Sequence, residues 1–124
     1  MSRVQQFIRV LDDPTAPALE GSDPVDPLLL TVIAYVFYAD DELADSEIDL
    51  FSRLVPDITD VAGHVHELRE RPLDIDGLKA AFPTVEARAE LFDLCERAVL
   101  GDNKVDSGEM DLVEALMRQL GFDA

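Results

Sequence analysis

The sequence predicts an all-α fold: six or seven helices packed as a compact bundle that contains two pseudo-symmetric helix-loop-helix units. Three observations lead there. Apolar residues recur at helical spacing along most of the chain, and no segment sustains a two-residue alternation. Prolines and helix-capping residues punctuate that pattern at intervals suited to short helices. An eight-residue acidic pattern also occurs twice, 62 positions apart, as Asp40-Asp41-Glu42-Leu43-Ala44-Asp45-Ser46-Glu47 and Asp102-Asn103-Lys104-Val105-Asp106-Ser107-Gly108-Glu109. Each copy follows an apolar stretch and precedes an amphipathic one.

Val4, Phe7, Ile8 and Leu11 fall at i, i+3, i+4 and i+7, which predicts an amphipathic helix over residues 2–12. Pro14 disfavours helix at the residue before it, so Asp12-Asp13-Pro14 closes that element. Residues 13–25 are rich in Pro, Gly, Ser and Asp and read as a loop or linker, so the expected organisation is a helix and Pro-rich linker over 1–25 and a helical domain over 26–124, within one globular unit. Asp26 as N-cap and Pro27 in the first turn predict the next helix, running from Leu28 to Ala39. It is apolar on nearly all sides, which makes it the expected buried centre of the bundle.

After the bend at 40–45, a helix from Ser46 carries Ile48, Leu50, Phe51 and Leu54 and stops before Pro56. Ile58, Val61, Val65 and Leu68 mark another, ending at Pro72. Asp74 caps a short helix with Ile75, Leu78 and Phe82. Thr84 caps the next, with Leu91, Leu94, Cys95, Ala98 and Val99 facing inward. The second bend spans Gly101 to Val105. Asp106 then caps a final helix with Met110, Val113, Leu116, Met117 and Leu120, and Gly121 is its expected C-cap.

Composition narrows function. The 124 residues include 27 acidic and 10 basic side chains, a formal charge of −17, and 48% are hydrophobic, enough for a core. Between Val10 and Ser52 there are 11 Asp and Glu and no Lys or Arg. Such a surface repels phosphate backbones and anionic membranes, so the expected partners are divalent cations or a basic protein surface. The longest apolar stretch, Leu28 to Ala39, spans 12 residues where a transmembrane helix needs about 20, so no membrane insertion is expected. The N-terminus shows no signal-peptide core, and a cytoplasmic location is expected. Cys95, the single cysteine, reads as a core thiol. His64 and His66 are two apart, face different directions on a helix and read as surface residues. No phosphate loop or nucleophile elbow is present, so no enzyme is expected.

The acidic bends carry the chemistry. In the second copy Asp106 and Glu109 are spaced as N-cap and N3, like a capping box, and both sit at the positive end of a helix dipole. The same oxygens resemble the second half of an EF-hand loop. Asp102, Asn103, Val105, Asp106 and Glu109 fit loop positions 5, 6, 8, 9 and 12. Positions 1 and 3 fall on Ala98 and Leu100, and in the first copy on Val36 and Tyr38, so neither unit is a complete loop. Candidate ligands are Asp102, Asp106 and Glu109, with Asp40, Asp45 and Glu47 in the first copy, for weak binding of a hard cation such as Ca²⁺ or Mg²⁺. The alternative is an interaction or scaffold module whose bends are only helix caps.

The motif resembles the tellurite-resistance TerB-like family. The matching residues are Val32-Ile33-Ala34-Tyr35-Val36 followed by Ala39-Asp40-Asp41-Glu42-Leu43 and Glu47, the second copy from Gly101 to Glu109, and Leu120-Gly121-Phe122. The resemblance covers roughly residues 26–122. It implies an all-helical domain with two pseudo-symmetric halves. It also implies a role in metal sensing or binding and in stress response, with acidic loop ligands and no established enzymatic activity. Asp41 and Asn103 stand where the family pattern has Gly, and Ala44 where it has Asp.

Overall fold

A helix that is apolar on nearly every side has to be largely enclosed by other elements, and residues 26–37 form such a helix here. The computed structural model describes residues 2–13, 15, 17–19, 21–37, 45–100, 114–116 and 118–119. Among them the helices are α1 (Arg3–Asp12), α2 (Asp26–Phe37), α3 (Asp45–Leu54), α4 (Val61–Glu70), α5 (Ile75–Ala81) and α6 (Val85–Leu100). Residues 114–116 and 118–119 are helical too, and no strand occurs among the described residues. The architecture is an all-α bundle. Helix α2 lies against α4 and α6, while α1 packs on α6 and α3, and α3 packs on α4. Leu29, Val32, Ile33, Ala34, Val36 and Phe37 of α2 are all buried.

The amphipathic helices contribute one stripe each to this core. Val4, Phe7, Val10 and Leu11 come from α1, Phe51 and Leu54 from α3, Val61, Val65 and Leu68 from α4, and Leu91, Leu94, Cys95 and Ala98 from α6. Leu116 is buried as well. The Phe51 ring stands edge-on to Phe37 at 6.3 Å between centroids and to His64 at 6.1 Å, so His64 is half-buried against the core. Burial, with Glu96 beside it, pushes the Cys95 thiol up to about 12. His66 stays exposed, 3.6 Å from Glu70.

Arginines tie the N-terminal segment to this frame. Arg3 donates to both carboxylate oxygens of Asp26, at 2.7 and 2.8 Å, and to the Gly21 carbonyl at 3.0 Å. The hydrogen bond to Asp26, with the nearby charges of Asp26 and Asp23, holds its guanidinium above its ordinary range against the cost of burial. Arg53, at the far end of α3, donates to the carbonyls of Val10 at 3.0 Å and Asp13 at 2.7 Å. Its own carbonyl accepts from Leu19 N–H. The described part of 13–25 is therefore anchored at several points, more tightly than a bare linker, and nothing in the composition of that stretch announces Arg53 as the anchor.

Two sequence expectations change at helix starts. Asp26 is the first residue of α2 rather than its cap, because its carboxylate is committed to Arg3 and to Asp23 N–H. Ile58 lies outside α4 and is 37% exposed, because Asp60 starts the helix by accepting from Gly63 N–H. Asp74 caps α5 and Thr84 accepts from Ala87 N–H at the start of α6, both as the sequence predicts.

Candidate functional site at the first acidic bend

Helix α3 opens within the first acidic copy, with Asp45 as its first residue and Glu47 as its third. Backbone N–H groups at a helix start lack intrahelical partners and carry partial positive charge, so carboxylates there are favoured. The two acids of this turn end in different surroundings. Asp45 is exposed. Glu47 is only 2% exposed and is the one buried charged side chain among the described residues. Enclosing a carboxylate costs several kcal/mol unless positive charge or N–H donors surround it. The helix start is one source of such compensation.

The enclosure follows from helical register. Glu47, Phe51 and Leu54 fall at i, i+4 and i+7, so the carboxylate rides the stripe that Phe51 and Leu54 bury in the core. That register was the available signal. Taken as one more acid of a solvated bend, Glu47 gives no hint of it. Glu47 and Glu109 also occupy the same place in the two copies of the repeat, as do Asp40 and Asp102.

Of the expected ligands, Asp45 and Glu47 are thus placed on one helical turn, and Asp40, Asp102, Asp106 and Glu109 lie outside the described residues. Among the described residues no three His, Cys, Asp or Glu side chains gather in a way that holds a metal ion. The helices around the repeat are in place: α2 leads toward the first copy, α3 begins within it, and α6 leads toward the second.

Elsewhere, acids start helices without being enclosed. Asp60 Oδ1 accepts from Gly63 N–H at 3.1 Å and Asp74 Oδ1 from Gly77 N–H at 2.9 Å, both at exposed positions. Glycine three residues after each Asp leaves room for the carboxylate to fold over the helix end, since an added Cβ at Gly63 or Gly77 would collide with that carboxylate. Among the described residues no helix is long and apolar enough to cross a membrane. Comparison with protein-family models, with curated proteins and with solved structures finds no match to this chain.

Proposed function

We propose that this protein is a non-enzymatic, TerB-like acidic helical module that binds a divalent cation weakly at its acidic bends. The burial of Glu47 supports this reading most directly. Of the two described acids of the first copy, Glu47, which has a counterpart in the second copy at Glu109, is the one drawn inside. A hard cation such as Ca²⁺ or Mg²⁺ suits carboxylate oxygens. The proposed ligands are Glu47, Asp45 and Asp40 at the first bend and Asp102, Asp106 and Glu109 at the second. The remaining oxygens come from backbone or water. A role in stress response of the tellurite-resistance type belongs to the same proposal and rests on the motif resemblance.

Thermal melts of EDTA-stripped protein against Ca²⁺, Mg²⁺, Mn²⁺ and Zn²⁺ at constant ionic strength test it. Binding at ten times Kd adds about 1.4 kcal/mol to folding, a rise in Tm of roughly 5 °C. Such a rise for one ion is expected, and the Asp106→Asn/Glu109→Gln variant is expected to remove most of the part due to the second bend. A flat response to every ion at millimolar concentration would sink the proposal.

A second reading is favoured by Asp60 and Asp74. They show that this chain uses acids as plain helix caps. On that reading the bends are caps in an interaction module for a basic protein surface, and added salt acts only by screening the charge of −17.

A further inference from the structure

We draw no further inference here: the strongest candidate, the exposed apolar start of α6 at Val85, is unpartnered, and nothing in the structure shows what covers it.

Discussion

The first turn of α3 and the first turns of α4 and α5 use the same chemistry to opposite ends. Asp60 and Asp74 meet a free N–H across three residues and remain at the surface, where water serves the rest of the carboxylate. Glu47 is drawn beneath the surface, on the stripe of Phe51 and Leu54. A cap needs one N–H group and tolerates solvent. An enclosed carboxylate requires its whole surroundings to favour negative charge. The contrast therefore separates acids that start helices at the surface from an acid enclosed at a helix start, and it is drawn within one chain under one net charge.

The largest expected effect comes from removing what holds α3 in place. Phe51→Ala empties a fully buried site between Phe37 and His64 and is expected to cost about 3–5 kcal/mol in chemical denaturation. A loss below about 1 kcal/mol would mean that α3, and Glu47 with it, is not fixed to the core as described.

The thiol of Cys95 reports next on enclosure. Its folded pKa lies above the ordinary cysteine value, so its contribution to stability is complete below the unfolded pKa, roughly 8.5. That contribution is lost as pH rises toward about 12. Native protein at pH near 8 is expected to resist thiol reagents until it unfolds, and stability is expected to fall on the alkaline side less steeply in Cys95→Ala. Rapid labelling of the native protein would contradict burial of α6 at this point.

Asp60→Ala and Asp74→Ala are each expected to cost about 1 kcal/mol, the usual loss of an N-cap, with no dependence on divalent cations. A cation-dependent loss would erase the contrast with Glu47. The smallest effect tests the close approach of cap and glycine. In an Asp74→Ala background, Gly77→Ala is expected to stabilise by up to about 1 kcal/mol through helix propensity. With Asp74 present, the added methyl displaces the capping carboxylate, so the gain is expected to shrink or vanish. Additive behaviour in that double-mutant cycle would show that the carboxylate does not lie over Gly77.

Much of the fold was legible because helix punctuation here is local chemistry. Asp74 before Ile75 and Leu78, Thr84 after Pro83, and the apolar run from Leu28 each act within a few residues of sequence. What escaped depends on distant partners. Asp26 carries the sequence mark of an N-cap, yet Arg3, 23 residues away, takes its carboxylate. Ile58 matches the apolar period of α4 but precedes the Asp60 cap, and periodicity alone does not show where a helix begins. Arg53 reaches two carbonyls about α1 that no local pattern connects to it. At the candidate site, the repeat marked Asp45 and Glu47 as equals. Only their phase relative to Phe51 and Leu54 separates the exposed acid from the enclosed one.

The most direct test is the cation response of Glu47→Gln beside that of the unaltered protein. Glutamine keeps the size of glutamate and fulfils the same N3 role in a capping box, so a purely structural carboxylate should tolerate it. A cation ligand should not, because the charge is lost. The expected result is an ion-specific rise in Tm for the unaltered chain, of which the part due to the first bend is lost in Glu47→Gln and the whole is kept in Asp60→Asn. Equal shifts in all three proteins, or none in any, would contradict the assignment of Glu47 to a cation site and leave it as an enclosed helix-start carboxylate.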